Sequence, residues 1–410
     1  MKRTRIFIAF LLLTFAMLAC AVQQPAPAAG PTTDVNSIVA QTMAALTASA
    51  PGALPSATAA APTPASLLPR GLYFRAPDSI GHLQVFRLAP DGQTRTQVTF
   101  EPADVDSYDV NQNDGRVIYV SNNQLLLVNR DGSGRQMLLD GGVRDVNNPF
   151  LNAVQNVAWS PDGQTIAYGY RGLNLYSVTT GANNLVLENL ITDMGNGFLI
   201  PKELYWPDSF SPDGTKILLT LGYYEGASAA IYYPATKSLV RLIGGEGAFI
   251  CCGEENWTAD SAALYSGNPT LGMFMPGLWR IDAATGAVTT LLAGDAGNGT
   301  FNFADEPILA PDGQLYFFFA NLPQSDEFVS RTPLQIVRSG LDGVSGRTVV
   351  LQPTFRMMTE ALWAPDASFV IVALAQNEQT YAGGQLELIH LANRPGATLA
   401  PFGQDLRWGP

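Results

Sequence analysis

Hydrophobic and polar residues alternate along most of the chain in short stretches, and turn residues separate one stretch from the next. Residues 157–190 show the pattern most clearly. Their apolar stretches cover residues 157–160, 165–168, 173–178 and 185–187. A Pro-Asp-Gly turn at 161–163 follows the first stretch, and Thr180-Gly181 precedes the fourth. Short alternating stretches bounded by such residues predict four antiparallel β-strands.

A turn of the same kind recurs at nearly constant spacing. The turn aspartates are Asp114, Asp162, Asp213, Asp260, Asp312 and Asp366. They are 48, 51, 47, 52 and 54 residues apart. A repeat of this length is typical of propellers and solenoids. Four antiparallel strands per repeat, without helices, indicate the blade of a β-propeller.

The third strand of the unit gives the best count of repeats. It recurs at residues 83–86, 125–128, 175–178, 231–233, 278–281, 334–337 and 386–389. Residues 70–76 resemble a second strand that lacks its first, whereas the chain ends after a first strand at 405–408. The two ends complement each other, so we expect the C-terminal strand to complete the first blade and leave no open sheet edge. The prediction is an all-β, seven-bladed propeller, or six blades if one unit is an irregular insertion.

These repeats resemble the TolB-type propeller repeat. The resemblance rests on the Ser-Pro-Asp-Gly turns at 160–163 and 211–214, the Thr-Gly or Asp-Gly turn after the third strand, and an aromatic residue before the first turn. Those aromatic residues are Trp159, Phe210, Trp257, Trp363 and Trp408. The resemblance covers residues 70–410 and implies the fold, since related repeats occur in binding proteins, in surface lipoproteins and beside catalytic domains. The turn residues themselves serve the backbone: Pro presets φ, Asp bonds its own backbone, and Gly supplies a positive φ.

The N-terminal residues predict an exported, lipid-anchored protein. Lys2, Arg3 and Arg5 precede an apolar run that ends in Leu18-Ala19-Cys20. This arrangement is typical of a signal peptide and resembles the lipobox of bacterial lipoproteins, which implies lipidation of Cys20. A plain secretory signal with an incidental cysteine is the alternative. The predicted organisation is a signal peptide at 1–19, a lipidated, disordered Ala/Pro/Thr-rich tether at 20–68, and the propeller at 69–410.

The charge of the chain limits its partners. It contains 23 basic and 35 acidic residues, for a formal net charge of −12. Nucleic acid is an unfavourable partner for such a protein, because phosphate binding needs basic patches. We expect a monomeric propeller held by its acyl chains on the extracytoplasmic face of a cell membrane, in the periplasm or at the cell surface.

Carboxylates recur where the first strand of each blade begins, which is the rim of the central funnel in a propeller. Aligned with Asn156 are Glu254, Glu306, Glu360 and Asp405, and nearby lie Asp106, Asp208 and Glu255. Such a cluster is costly unless it is compensated. The carboxylates could hold Ca²⁺ through oxygen ligands or receive a basic peptide. Alternatively, each one accepts backbone N–H groups from the neighbouring blade. No other cofactor is predicted.

Two further features of the sequence could bind a ligand. Asp104, Asp106 and Asp109 alternate in the manner of a calcium loop, but Gly115 and Val120 do not fit the EF-hand pattern. Cys251 and Cys252 are adjacent, precede a first strand, and either form a vicinal disulfide, pair between chains or remain thiols. A disulfide there would offer a ligand a flat, rigid platform at the funnel mouth.

Enzymatic signals are weak, so a non-catalytic role is predicted. His82 and His390 are the two histidines, and no Gly-x-Ser-x-Gly nucleophile motif occurs. We therefore expect a binding or scaffold module whose funnel takes a protein, a peptide or a cation, with no assigned catalytic residue. The alternative is a metal-dependent hydrolase, lyase or cyclase that uses the funnel carboxylates.

Overall fold

The computed structural model describes residues 66–410, except for 249, 254, 324–330 and 393. These residues belong to one compact unit, Pro64–Pro410. The predicted signal peptide, Cys20, Glu254 and nearly all of the tether lie outside the described residues. Among the described residues, no helix has the length and apolar character needed to cross a membrane.

The described chain consists of β-strands, with one 3-10 turn at Pro149–Leu151. The first fourteen strands are β1 (Gly71–Pro77), β2 (Leu83–Leu88), β3 (Arg95–Gln97), β4 (Val105–Val110), β5 (Val117–Ser121), β6 (Gln124–Val128), β7 (Gln136–Asp140), β8 (Gln155–Trp159), β9 (Thr165–Gly169), β10 (Gly172–Ser177), β11 (Asn183–Glu188), β12 (Leu190–Asp193), β13 (Leu199–Phe210) and β14 (Ile217–Gly222). The others are β15 (Ala227–Tyr233), β16 (Ser238–Arg241), β17 (Asn256–Trp257), β18 (Ala263–Asn268), β19 (Gly277–Asp282), β20 (Val288–Leu292), β21 (Thr300–Leu309), β22 (Leu315–Pro323), β23 (Gln335–Ser339), β24 (Thr348–Val349), β25 (Met358–Trp363), β26 (Phe369–Leu374), β27 (Gly384–His390) and β28 (Ala397–Gly409).

The strands form small antiparallel sheets in which chain neighbours are sheet neighbours. Four sheets have four strands each: β4–β7, β8–β11, β17–β20 and β21–β24. Strands β13–β16 form a similar sheet to which β12 adds a fifth strand, and that addition was not predicted from the sequence. The all-β prediction and the predicted strand order within a repeat are therefore confirmed.

The last strand pairs with two different strands. The N-terminal part of β28 pairs with β27, including Leu386 opposite Ala400. Its C-terminal part pairs with β1, with Leu72 opposite Trp408 and Gly71 opposite Gly409. As a result β25–β28 and β1–β3 form one continuous seven-stranded sheet.

Apolar clusters lie between successive sheets. One joins β1, β2 and β4–β6 around Tyr73 and Tyr119, and another joins β21–β23 with β25 and β26 around Phe318 and Trp363. A further cluster unites β26 and β27 with β1 and β2, and Leu406 lies within it with 1% of its surface exposed. Burial of apolar area of this kind is the main favourable term in folding.

The recurring turns reverse the chain, and their side chains also hold neighbouring sheets together. Gly163 has φ of +67°, and at the corresponding position Ala367 takes +54°, so the left-handed conformation is kept where glycine is missing. The Asn113 side chain donates to the carbonyl of Pro161 in the next turn (3.0 Å). The Asp213 N–H donates to Ser261 Oγ in the turn after that sheet (3.0 Å). These turns therefore lie side by side on one surface, which we call the turn face.

The opposite ends of the strands carry the longer loops, and we call that surface the loop face. It contains the beginnings of the first strands, which are β4, β8, β13, β17, β21 and β25, and the loops between each second and third strand. Neighbouring loops touch here too: Thr332 Oγ1 donates to the carbonyl of Pro269 (2.8 Å), and the Arg331 guanidinium donates to the carbonyl of Thr380.

Candidate functional site

A β-bulge marks the rim position in most first strands. The register shifts at Asp106 in β4, Asn156 in β8 and Asp208 in β13. It shifts again at Glu306 in β21, next to Glu360 in β25, and at Asp405 in β28. Asn156, Glu306 and Asp405 have φ near +50° (48°, 47° and 53°). A bulge inserts an extra residue and redirects side chains, so this irregularity turns the polar rim residues towards the next sheet.

Two rim carboxylates accept backbone N–H groups from the first strand of the next repeat. Glu360 accepts the N–H groups of Asp405 (2.7 Å) and Leu406 (2.6 Å). Glu306 accepts the N–H of Ala361 (3.1 Å). These contacts agree with the structural alternative stated above, in which each carboxylate accepts N–H groups from its neighbour.

Asp109 makes the same kind of contact three residues after the rim position Asp106 of β4. It accepts the N–H of Trp159 (2.6 Å) from β8. Its neighbours in the supposed calcium loop point elsewhere: Asp104 accepts the N–H of Leu83 (2.9 Å), and Asn111 accepts that of Asn113 (2.9 Å). The alternating oxygen side chains therefore do not converge on one point.

Arg407 is a positively charged residue near the rim carboxylates that was not predicted from the sequence. Part of its side chain reaches solvent. Neighbouring protein atoms exclude water from the rest, and this desolvation acts to lower the pKa of Arg407. The charges of Tyr108, Asp109, Glu360 and Asp405 nevertheless raise the pKa of Arg407. Burial raises the pKa of Asp208, and the charge of Arg407 partly opposes that rise. One guanidinium on the last strand thus interacts electrostatically with acidic side chains from β4, β13, β25 and β28.

A second arginine binds the outermost rim carboxylate. Arg75 Nε donates to Asp405 Oδ2 (2.5 Å), and the Arg75 side chain is only 13% exposed, against 42% for Asp405. Arg75 also donates to the backbone carbonyl of Asp106 (2.7 Å). Tyr108 donates its hydroxyl to the carbonyl of Asp405 (2.5 Å). The C-terminal strand is therefore tied to β4 by polar bonds as well as by apolar packing.

Asp208 is joined to the cysteine pair through Thr220. Thr220 Oγ1 donates to Asp208 Oδ2 (2.8 Å) and accepts the N–H of Cys252 (2.9 Å). Cys251 and Cys252 form a disulfide; Cys251 is buried, and Cys252 is exposed with φ of +75°. Asn156 also donates to Asp208 (3.4 Å). Burial raises the pKa of Asp208 to about 7, although these hydrogen bonds oppose the shift.

The remaining predicted rim residues differ in exposure. Asp106 is exposed, and desolvation raises its pKa despite the nearby Arg144 and Arg75. Glu255 is 5% exposed, and Glu254 lies outside the described residues. Within the described part of the chain, no group of three or more His, Cys, Asp or Glu side chains is arranged to hold a metal ion.

The loop face carries an unpredicted set of exposed apolar side chains. Eight of them are more than half exposed: Ile80, Val143, Val146, Met194, Phe198, Tyr224, Met273 and Tyr381. Phe198 and Tyr224 pack edge to face, with ring centroids 6.5 Å apart. The loop between β12 and β13 supplies Met194 and Phe198. Grouped exposed apolar residues indicate an interaction surface more often than scattered ones do.

No protein-family model matches this chain, and no curated protein matches it. Similar solved structures include TolB from Acinetobacter baumannii, with 15% identity, a TM-score of 0.41, and coverage of 80% of this chain and 79% of that chain. An oligogalacturonate lyase in complex with manganese is 10% identical, has a TM-score of 0.51, and covers 80% of this chain and 84% of its own. Hydrazine synthase of Kuenenia stuttgartiensis is 11% identical, with a TM-score of 0.44 and coverage of 70% and 76%.

These similarities concern the fold. The similar structures are β-propeller-like proteins, and of the three named here the lyase, with a TM-score of 0.51, supports the fold. The coarse prediction of a β-propeller-like, all-β architecture is therefore supported. Because a fold hosts many functions, identities of 10–15% transfer none of them.

The raised pKa of Glu360 implies that the free energy of unfolding falls as pH rises. Burial, with a smaller contribution from Asp405, raises this pKa from 4.5 to about 7. The folded protein therefore keeps the proton that the unfolded chain releases near pH 4.5. The resulting stabilisation is complete below pH 4.5 and is lost as pH rises through about 7.

We expect Glu360→Gln to remove this part of the pH dependence. Between pH 5 and pH 8 the parent should lose roughly 1–3 kcal/mol more unfolding free energy than the variant does. Urea denaturation at several pH values measures the difference. The matched control is Glu188→Gln, which changes an exposed glutamate of β11. Parallel pH profiles for the parent and Glu360→Gln would contradict the assignment.

Proposed function

We propose that this protein is a non-catalytic, β-propeller binding module that docks a protein partner on its loop face. The observation that carries the proposal is the set of exposed apolar side chains on that face, above all the Phe198–Tyr224 pair. The rim carboxylates support a structural role more than a reactive one, because Glu306 and Glu360 are bound to backbone N–H groups. Binding in the funnel then concerns the exposed rim, chiefly Asp106 and Asp405.

The proposed architecture is a ring of seven blades. In this arrangement β28 supplies the outer strand of the last blade and the inner strand of the first, which its pairing with both β27 and β1 supports. Seven apolar clusters found among the described residues agree with it. A crystal structure with six blades, or with residues 404–410 detached from β1, would contradict this arrangement.

The proposed partner has a surface complementary to the side chains of the loop face. Its loops expose apolar side chains such as Met194 and Met273, whereas its rim carries the partly exposed Asp106 and Asp405. The partner should present an apolar patch for the loops and a basic segment that reaches the acidic rim. Electrostatic complementarity of this kind mainly speeds association and excludes wrong partners, while the buried apolar residues supply affinity.

Site-specific photo-crosslinking in the native host tests this proposal. A crosslinker at Met273 on the loop face should trap one reproducible protein, whereas a crosslinker at Val344, in the turn between β23 and β24 on the turn face, should not. The double variant Phe198→Ser, Tyr224→Ser should reduce that product by about tenfold or more, since aromatic anchors dominate interfaces.

The control for this experiment is Leu341→Ser, Val344→Ser, which removes two exposed apolar side chains from the turn face. It should leave the product from Met273 unchanged. Equal loss in both double variants, or no discrete product from Met273, would rule out the loop face as the docking surface.

We also propose that Cys20 carries the lipid anchor and that residues 20–68 tether the propeller to the extracytoplasmic face of the membrane. The support is the apolar run that ends directly in Leu18-Ala19-Cys20.

Cys20→Ser should move the protein from the membrane fraction to the soluble extracytoplasmic fraction, or block its processing. Cell fractionation with immunoblotting measures this, and Cys252→Ser is the control of the same chemical type that should remain with the membrane. The anchor is ruled out if the Cys20→Ser protein is processed normally and still sediments with membranes.

A further inference from the structure

A cavity of about 570 Å³ opens near the turn face, between the first two sheets of the described chain. Arg87 and Thr96 line it from β2 and β3, where they are direct cross-strand neighbours. Asp114 and Arg116 line it from the turn before β5, and the turn after β6 adds Asn129, Arg130 and Asp131. Three guanidinium groups thus face one cavity in a chain whose formal net charge is −12.

The three arginines differ in how many hydrogen bonds and ion pairs their guanidinium groups form with the protein. Arg116 is paired with Asp114 at 2.8 Å. Arg87 Nε is buried and has no hydrogen-bond acceptor among the described residues, and its guanidinium stands 6.0 Å from the Tyr73 ring centroid. Arg130 makes no hydrogen bond or ion pair within the described part of the chain. Arg130 therefore keeps its donors available to a ligand. Arg87, whose Nε is enclosed by protein and whose side chain is hydrogen-bonded to Tyr73, can offer only its terminal nitrogens where it lines the cavity.

The two aspartates of the cavity form no hydrogen bond with Arg87 or Arg130 among the described residues. Asp114 is bound to Arg116 through its side chain and to the Arg116 N–H (3.0 Å). Asp131 accepts the hydroxyl (2.6 Å) and N–H (3.0 Å) of Ser133 within its own turn. Both aspartates keep their charge, so the three arginines leave the lining with one net positive charge. An incoming anion would meet the donors of Arg130 and the terminal nitrogens of Arg87, and guanidinium donors are suited to contact with oxyanions.

We propose that this cavity is a binding site for a ligand that carries a phosphate or carboxylate group. Arg87 and Arg130 bind the oxyanion, and Arg116 contributes positive charge beside it. The hydroxyl of Thr96 and the amide of Asn129 line the same cavity and are placed to contact the rest of the ligand. This site is separate from the loop face, so the result of its test does not depend on the proposed docking function.

Isothermal titration calorimetry of the purified propeller in low-salt buffer tests the site, with inorganic phosphate as one probe and citrate as the other. We expect saturable binding of at least one probe at millimolar concentrations, and the stronger binder distinguishes a phosphate from a carboxylate ligand. Arg130→Gln should weaken binding by about tenfold or more, the equivalent of one charge-assisted hydrogen bond. Arg87→Lys should also weaken it, because the charge is kept but the forked donor geometry is lost.

Arg394→Gln is the matched control, because it removes one exposed arginine outside the cavity. It should bind both probes as the parent does. Since Arg130 is exposed, the Arg130→Gln variant should fold normally, which keeps the test valid even if Arg87→Lys does not fold. The proposal is overturned if neither probe binds, or if Arg130→Gln and Arg394→Gln reduce affinity equally.

Discussion

The arrangement of acidic side chains around Arg407 is the constraint on which the rest of the structure depends. Acidic residues from β4, β13, β25 and β28 interact with this one guanidinium. Partly buried carboxylates in such numbers would repel each other and lose hydration if nothing compensated them. The protein compensates them in two ways, with a central cation and with backbone N–H groups from neighbouring strands.

Local bulges in the strands allow this compensation and thereby connect one repeat to the next. The bulges at Asn156, Glu306 and Asp405 place polar side chains where the next sheet can bind them. The tryptophans before the turns act in the same direction: Trp408 Nε1 donates to the carbonyl of Trp363 (2.8 Å), and Trp363 Nε1 donates to that of Glu306 (2.8 Å). Each of these two units is thereby bound to the one before it. The chain's last strand provides both Arg407 and the final set of these bonds.

Much of the fold was predictable because the repeat has a strong local signal. Pro-Asp-Gly turns and the apolar third strands depend on nearby residues, so the strand order could be inferred from the sequence. Strand β12 could not, since residues 190–193 are mostly exposed and show no clear alternation. The rim carboxylates were found by alignment, but their bonding depends on bulges that shift the register by one residue, and composition does not reveal them. Arg407 was missed because its partners come from three other strands far away in the chain.

The central claim is that Arg407 compensates the rim carboxylates across several sheets, and a double-mutant cycle between Arg407→Met and Glu360→Gln tests it most directly. Unfolding free energies from urea denaturation at pH 8 would be measured for the parent, both single variants and the double variant. Because Arg407 is exposed, solvent screens its charge, and Arg407→Met alone should cost about 1 kcal/mol. It should cost at least about 0.5 kcal/mol less in the Glu360→Gln background, while a cycle with the exposed Glu188→Gln should be additive. Additivity of Arg407→Met and Glu360→Gln would contradict the account.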